Sequence, residues 1–339
     1  MSISLDLLHN IHSQSSPVAW QSLLNYAWQV CSEPLDTATV GQQITQRERE
    51  IYSADLLLAT TSWDLWQDFE ACVESTADAL AHWWEQSTSE RSSLGKAVLI
   101  LDGLSLREVP WILQGAAEQG LTVKQTRVTR SELPSDTNTF AQSLGLNKRA
   151  DLQNNGASQT HRLPGATTDT VDLPWYDCIS LIKAEPNWVL WHEWPDSDLH
   201  HQFAKAGQGG IKLAEAAATK LSDRDFWGLI QRLTTGRSLM ITADHGYAAT
   251  GNFPDASPEQ TEYLKPLFGQ KRWVTDTDRQ GNWVPPIDLV LKSRHGQYRY
   301  ALGRRKWKSS GGYPTLTHGG LSLLEVAVPF IELSQSGGV

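Results

Sequence analysis

The sequence predicts an α/β fold that follows an N-terminal helical region, and three observations lead to this prediction. Residues 1 to about 90 carry apolar side chains at helical spacing. Residues 97–101 then form a continuous apolar run that ends in Asp102-Gly103, which is typical of a buried parallel strand. The later segments alternate between helix and strand patterns, and this alternation is typical of α/β sheets.

The N-terminal region is predicted to hold two main helices. Ser16 as N-cap and Pro17 in the first turn begin one of them. The other spans residues 64–84, where apolar side chains form a stripe along one face. The charged residues 48–50 are interpreted as a solvated face.

The chain is expected to divide into a helical accessory region, residues 1–90, and a catalytic domain, residues 96–334. Residues 86–95 are polar and rich in serine, which indicates a linker. The accessory region has no residue with an obvious chemical role, so we expect it to cover a site or to dock a partner.

Composition excludes several classes of protein. The 339 residues carry a net charge of −9 without a block of like charges, so nothing indicates a basic nucleic-acid-binding face. The three cysteines are far apart and form neither a disulfide framework nor a zinc cluster. The 15 tryptophans are interpreted as core packing rather than as a base-stacking surface. With no stretch long enough to cross a bilayer, we expect a cytoplasmic protein.

The segment after the first strand has two features. Ser105 and Glu108 form a predicted capping box, which gives Ser105 a structural role and argues against its being a nucleophile. Further on, Pro134 and small polar residues form a turn before a helix. Thr137 lies near the start of this helix, where free backbone N–H groups attract an anion. Simple N-capping by Thr137 is the alternative.

Residues 147–172 are predicted to be a mobile surface loop. Residues 187–194 then form another candidate strand. The strand leads to Asp196 and His200, whose i, i+4 spacing would direct both side chains to one point on a helix. The neighbouring residues Asp198 and His201 are of the same types, so the choice of Asp196 and His200 as the site residues stays open.

The C-terminal half supplies the most specific candidates. A helix predicted over residues 211–233 leads to a strand over residues 238–242, and Asp244 and His245 follow it directly. An Asp-His pair at the carboxyl edge of a sheet suits a divalent ion of the zinc class, although turn or capping roles are the alternative.

The remaining segments are an insertion and a hairpin. Residues 247–286 form an insertion that is a candidate lid, and residues 287–300 form a predicted hairpin with His295 as a surface residue at its turn. His318 lies before the last strand.

These segments, in this order, resemble the alkaline phosphatase superfamily, and within it the PglZ domain. The resemblance covers residues 97 to 333 and rests on five motifs: Leu-Asp-Gly-Leu, Leu-Pro-Ser-Asp-Thr, Asp-x-x-x-His, Ala-Asp-His-Gly and His-Gly-Gly-Leu-Ser-Leu-Leu-Glu. It implies a three-layer α/β/α core sheet. It also implies a nucleophile and two metal sites, with Thr137 as the nucleophile, Asp102, Asp244 and His245 at one metal, and Asp196, His200 and His318 at the other.

The resemblance implies a metal-dependent phosphoesterase with two divalent ions, zinc being expected and manganese the alternative. PglZ domains are associated with phage defence and signalling, so we expect a phosphodiesterase that acts on nucleotides or oligonucleotides, with a phosphomonoesterase as the alternative. PglZ domains often carry a basic residue at the position that Ser105 occupies in this chain. Here the nearby basic residue is Arg107. A rival hypothesis is a non-catalytic partner module in a defence complex.

Overall fold

The computed structural model describes residues 3–86, 94–155, 161–201, 209–279 and 281–335, without the side chain of His201. Nine strands lie in these segments: β1 (Gly95–Leu101), β2 (Leu121–Arg130), β3 (Thr167–Val171), β4 (Trp188–His192), β5 (Arg237–Thr242), β6 (Trp273–Thr275), β7 (Asp288–Ser293), β8 (Gly296–Ala301) and β9 (Ala327–Gln335).

The described helices fall into two groups. The N-terminal group comprises α1 (Leu5–Ser13), α2 (Ser16–Ser32), α3 (Val40–Thr60), α4 (Phe69–Cys72) and α5 (Thr76–Glu85). The later group comprises α6 (Val109–Glu118), α7 (Thr137–Ser143), α8 (Trp175–Leu181), α9 (Asp196–His201), α10 (Gly209–Leu221), α11 (Arg224–Thr234), α12 (Pro258–Phe268) and α13 (Leu323–Val326). Each of these helices is too short or too polar to span a membrane.

The central sheet has six strands in the order β2-β9-β5-β1-β4-β3. Strand β1 pairs in parallel with β4 and β5, and β3 extends the parallel part beside β4. Strand β9 is antiparallel to both β5 and β2. The sheet is therefore mixed, with a parallel part that runs from β5 to the edge strand β3, and it confirms the α/β prediction.

Alternate side chains of β1 face two different cores. Ala97, Leu99 and Leu101 belong to a buried cluster with helices α1 to α3, α6, α10 and α11. Val98 and Ile100 belong to a second cluster with α5 and α7. Because successive strand residues point to opposite faces, helices cover both faces of the sheet, as the three-layer prediction requires.

The boundaries of several predicted helices and loops were wrong. The single helix expected over residues 64–84 is a 3-10 helix (Trp63–Asp68) followed by α4 and α5, since the chain is extended at Val73 and Ser75 caps a new helix. The helix expected over residues 211–233 is divided into α10 and α11, because Asp223 caps the second of them.

Strand β3 was missed. The segment 147–172, expected to be a mobile loop, contains a 3-10 helix (Arg149–Asn155) and the edge strand β3. Residues 87–93 and 156–160 lie outside the described residues, so most of the expected linker does too. The division into residues 1–90 and 96–334 stays a prediction, although α1 to α3 share one buried cluster with the sheet.

Two surface assignments were also wrong. Glu48, expected on a solvated face, is only 5% exposed because two arginine side chains pair with it. The hairpin around residue 295 is confirmed as β7 and β8, which form a small sheet with β6. His295 at its tip has a side chain that is 9% exposed, because its Nε2 lies 2.9 Å from Ser143 Oγ at the end of α7.

Two composition-based predictions, on the tryptophans and the cysteines, agree with the structure. Trp66, Trp83 and Trp84 are buried, as expected for core packing. The three cysteines are free.

Candidate metal centre

The predicted site residues meet at the carboxyl edge of the parallel part of the sheet. Asp102 follows β1, Asp196 begins α9 shortly after β4, and Asp244 follows β5. The Asp102 amide donates to the His192 carbonyl at 2.9 Å, and the Asp196 amide donates to the Asp102 carbonyl at 2.9 Å. Neighbouring strand ends thus fix these backbones side by side, at the edge where open α/β sheets place their ligands.

Asp102, Asp244 and His245 form a first group of metal-competent side chains. One ligand atom from each lies within 4.8 Å of the others, and all three residues are buried. His245 Nε2 is 3.4 Å from Asp244 Oδ2 and 3.7 Å from Asp102 Oδ1. The three atoms therefore face a common point, as the resemblance implied.

Hydrogen bonds orient this first group. Asp244 Oδ1 accepts from the amides of Gly103 at 2.9 Å and His245 at 3.0 Å. His245 Nδ1 lies 2.9 Å from the Gly246 carbonyl, which can only accept, so Nδ1 carries the proton and Nε2 is left with its lone pair. Asp244 Oδ2 is buried and has no hydrogen-bond partner among the described residues. Asp244 Oδ2 and His245 Nε2 both point into the group.

Asp196, His200 and His318 form a second group with the same 4.8 Å spacing. Asp196 Oδ1 is 3.4 Å from His200 Nε2 and 4.0 Å from His318 Nε2, and it too lacks a hydrogen-bond partner in the described part of the chain. The His318 ring stacks on the His245 ring with centroids 4.1 Å apart. The two groups are therefore adjacent.

The sequence left open whether Asp198, rather than Asp196, belongs to the site, and the structure answers this for the carboxylate. Asp198 is buried and its carboxylate lies 3.3 Å from Lys220, outside both groups. The His201 side chain lies outside the described residues.

Thr137 is the first residue of α7, and its side chain faces the first group. Asp136, rather than Thr137, is the N-cap, because Asp136 is extended and its carboxylate accepts from the Asn138 amide at 2.9 Å. The capping alternative for Thr137 was therefore wrong. Thr137 Oγ1 lies 3.4 Å from both Asp102 Oδ1 and His245 Nε2.

The carboxylates are crowded in a buried space. Burial raises the pKa of Asp102 well above its ordinary value, and the carboxylates of Asp244 and Asp196 raise it further. Burial also opposes ionisation of Asp196, but the adjacent His200 imidazole and the charges of His318 and His245 hold its pKa well below the usual range. Burial and the neighbouring His245 lower the pKa of His318, which favours the neutral ring that a metal requires.

Two divalent ions fit these two groups. Each group offers carboxylate and imidazole ligands, which is the donor set that zinc accepts and manganese tolerates. One buried oxygen each of Asp196 and Asp244 accepts no hydrogen bond among the described residues, and this supports the same assignment, since a buried acceptor without a hydrogen bond is costly unless something neutralises it.

The loop that carries His318 is held by Glu325. The Glu325 carboxylate accepts from the Gly320 amide at 2.7 Å, from Ser322 Oγ at 2.6 Å and from Arg272 Nε at 2.7 Å. The His318 ring is fixed from its other side by Nδ1, 2.9 Å from the Ser135 carbonyl. The last residue of the His-Gly-Gly-Leu-Ser-Leu-Leu-Glu motif thus holds the backbone near its first residue, which explains the spacing between them.

Two further side chains contact Asp102 and were missed in the sequence. Asp102 Oδ2 lies 3.2 Å from Trp191 Nε1 and 3.4 Å from Arg149 Nη1, while Arg149 also pairs with Glu193. Trp191 stands opposite Ile100 in the register of β1 and β4, so only a prediction of which strands pair could have placed it beside Asp102. Arg149 follows α7 in a stretch without a motif, so the sequence gave no signal for it.

Arg107 does not face the site. Its Nε donates to Glu48 at 2.6 Å, and its Nη1 donates to the Tyr247 carbonyl at 2.8 Å and to Ser105 Oγ at 3.1 Å. The capping box of Ser105 and Glu108 is present, as predicted. Both Ser105 and Arg107 therefore have structural roles.

Comparison with solved structures gives distant similarities. Murine ectonucleotide pyrophosphatase/phosphodiesterase 5, solved as an inactive variant with AMP, has 14% identity and a TM-score of 0.42, over 71% of this chain and 88% of that one. Phosphonoacetate hydrolase from Sinorhizobium meliloti, solved with phosphonoformate, has 15% identity and a TM-score of 0.42, over 71% and 90%. The human ectonucleotide pyrophosphatase/phosphodiesterase 5 has 13% identity and a TM-score of 0.43, over 71% and 87%.

No protein-family model matches the sequence, and no curated protein is significantly similar to it. The similarity to the solved structures is too distant to identify an activity for this chain.

Proposed function

We propose that this protein is a metal-dependent phosphoesterase in which Thr137 is the nucleophile. Asp102, Asp244 and His245 would hold one divalent ion, and Asp196, His200 and His318 would hold the other, with zinc favoured over manganese. The observation that carries the proposal is the placement of Thr137 Oγ1, 3.4 Å from two side chains of the first group, beside a second group of the same kind.

The residues support an in-line displacement at phosphorus. The divalent ions would supply the positive charge that activates a hydroxyl group and stabilises the phosphoryl oxygens. Thr137 Oγ attacks phosphorus, and its bond to phosphorus forms as the bond to the leaving oxygen breaks. The hydroxyl proton ends, in net terms, on the departing alcohol. Water then hydrolyses the phosphothreonine, which releases the phosphoryl product and restores the Thr137 hydroxyl.

We favour diesters over monoesters as substrates. A dianionic monoester benefits from additional positive charge beyond the metals, whereas a monoanionic diester needs less. Arg149 is the cation that contacts Asp102, but Glu193 pairs with it and balances its charge. The resemblance to PglZ domains supports nucleotides or oligonucleotides as the diesters and a role in phage defence or signalling. A protein partner in such a system would dock on the N-terminal helical region.

The test is turnover of a bis-aryl phosphate and of a mono-aryl phosphate by metal-free protein reloaded with Zn²⁺ or Mn²⁺. We expect the bis-aryl ester to be hydrolysed faster, Thr137→Ser to retain partial turnover and Thr137→Ala to lose it. Thr137→Ala should keep the increase in melting temperature that metal gives, which separates loss of chemistry from loss of folding. Full turnover by Thr137→Ala, or by protein treated exhaustively with a chelator, would contradict the proposal.

The nucleotide preference has its own assay. Dinucleotides and short single-stranded oligonucleotides are offered to the reloaded protein, with the bis-aryl phosphate as the reference substrate. A kcat/KM for the nucleotides below that of the reference would remove the support for this substrate class while leaving the phosphoesterase proposal in place.

A further inference from the structure

We infer that Glu48 and Asp55, on helix α3 of the N-terminal region, are positioning residues for the metal centre. The inference rests on the proposed function, because it concerns the same two groups of ligands. The two carboxylates lie seven residues apart, so two helical turns place them on one face of α3. Glu48 is 5% exposed and Asp55 is 1% exposed.

Glu48 is linked to the turn that carries the first group. Its Oε1 accepts from Arg107 Nε at 2.6 Å, and Arg107 Nη1 donates to the Tyr247 carbonyl at 2.8 Å. Tyr247 is two residues after His245. Arg107 also lies in a short 3-10 helix (Leu106–Glu108) that follows β1 and Asp102, so one guanidinium joins the two backbone segments that supply the first group.

Asp55 is linked to the loop that carries His318. Its Oδ1 accepts from the Leu323 amide at 2.7 Å, at the start of α13. The preceding residue, Ser322, donates to the Glu325 carboxylate, which also holds the Gly320 amide two residues after His318. Asp55 thus anchors one end of the segment whose other end supplies a ligand of the second group.

Arg304 joins the two carboxylates to each other. Its Nε donates to Asp55 Oδ2 at 2.6 Å, and its Nη1 donates to Glu48 Oε2 at 2.5 Å. All of these groups are buried, and charge-assisted hydrogen bonds in such surroundings have strict distance and angle requirements. The network therefore limits how far the segments bearing His245 and His318 can move relative to each other.

A network of this kind should affect metal affinity. Side chains that orient metal ligands from outside the coordination sphere typically change affinity about 10- to 100-fold when they are replaced. Glu48 and Asp55 act through one further residue, so we expect the lower end of this range, about tenfold. Each replacement should act mainly on the group to which it is linked.

The experiment measures Zn²⁺ binding by the full-length, metal-free protein in competition with a chromogenic chelator, well below the unfolding temperature. Glu48→Asp keeps the charge and shortens the side chain by ~1.5 Å, which draws the carboxylate away from Arg107. Asp55→Asn keeps one acceptor oxygen and removes the charge that faces Arg304. Ile51→Val is the matched control, because Ile51 is fully buried on the same helix between the two carboxylates.

We expect two Zn²⁺ sites in the wild type, about tenfold weaker binding at one of them in Glu48→Asp and in Asp55→Asn, and unchanged binding in Ile51→Val. Should Asp55→Asn fail to fold, Glu48→Asp decides the question. Unchanged affinity in Glu48→Asp overturns the inference, as does equal weakening in Ile51→Val, because general packing would then explain the effect. A wild type that binds no Zn²⁺ overturns the proposed function and the inference with it, which distinguishes the two failures.

Discussion

Replacing Asp244 by asparagine is expected to have opposite effects on stability without and with metal. In the metal-free protein Asp244 adds a buried negative charge beside Asp102, whose pKa is raised by burial and by the Asp244 carboxylate. Asparagine keeps the side-chain oxygen that accepts from the amides of Gly103 and His245. The variant therefore loses the repulsion while retaining the local hydrogen bonds.

The magnitude follows from the spacing of the group. The ligand atoms of Asp102 and Asp244 lie within 4.8 Å of each other. At that distance and an effective dielectric constant of about 20, two unit charges repel by about 3 kcal/mol. Loss of the attraction between Asp244 and His245 offsets part of this, so we expect metal-free Asp244→Asn to be more stable than wild type by about 1–2 kcal/mol at pH 8.

With metal the order reverses. A ligand that binds only the folded state stabilises it by about 2.7 kcal/mol when its concentration is a hundred times its Kd. The wild type should gain this amount for each ion, whereas Asp244→Asn lacks a charged ligand at one of them. Melting curves with and without Zn²⁺ measure both effects, and in a chain of this size 1 kcal/mol corresponds to roughly 2 °C.

Asp198→Asn is the control for loss of a carboxylate outside the metal groups. It breaks the ion pair between the buried Asp198 and the partly exposed Lys220, so it should lower stability in both conditions and keep the full increase with Zn²⁺. The reasoning is refuted when metal-free Asp244→Asn melts below the wild type, or when Zn²⁺ raises the melting temperature of both proteins equally.

Three further outcomes are expected. Burial would raise the pKa of Glu48, but two guanidinium groups lower it from 4.5 to about 2. About 3 kcal/mol of stability is therefore present above pH 4.5 and is lost as the pH falls toward 2. Urea unfolding at several pH values would measure this loss in the wild type, and the stability of Glu48→Gln should depend less on pH. Arg149→Gln should weaken Zn²⁺ binding about tenfold because its contact with Asp102 is lost, and unchanged competition with a chelator would exclude this. Ser143→Ala should lower the free energy of unfolding by about 1 kcal/mol, since it removes the bond to His295.

The closeness of the candidate ligands could be predicted because strand ends carry a strong local signal. Asp102 and Asp244 each follow a continuous apolar run, and parallel strands bring such positions to one edge whatever the length of chain between them. Asp196 and His200 needed only the i, i+4 spacing of a helix. His318 was placed by the resemblance alone, since the sequence before α13 has no regular pattern.

Helices and strands without a regular apolar pattern could not be predicted from the sequence. Strand β3 has the sequence Thr-Thr-Asp-Thr-Val, and as an edge strand it buries few apolar side chains. The break before α5 depends on Ser75, one of many serines that could cap a helix. In both cases tertiary contacts decide among local conformations that the sequence leaves open.

The two neighbouring residues Asp136 and Thr137 show why roles in the site needed the structure. Both residue types cap helices well, so the sequence left capping and chemistry as alternatives for Thr137. The capping role belongs to the residue with an extended backbone, and Asp136 has φ −149° and ψ 144°. The Thr137 hydroxyl therefore does not cap the helix, and it lies near Asp102 and His245.

The buried charges on α3 could not be inferred from spacing either. Glu48 pairs with Arg107 and Arg304, which lie 59 and 256 residues further along the chain. On a helix with polar residues on both sides, a glutamate with distant partners has the same local pattern as a solvent-exposed one. Since an unpaired buried charge is strongly destabilising, Arg107 and Arg304 need the carboxylates of α3. Residues outside the resemblance thus neutralise charges inside it, so the edge of the sheet that holds the candidate metal centre and the N-terminal helices depend on each other.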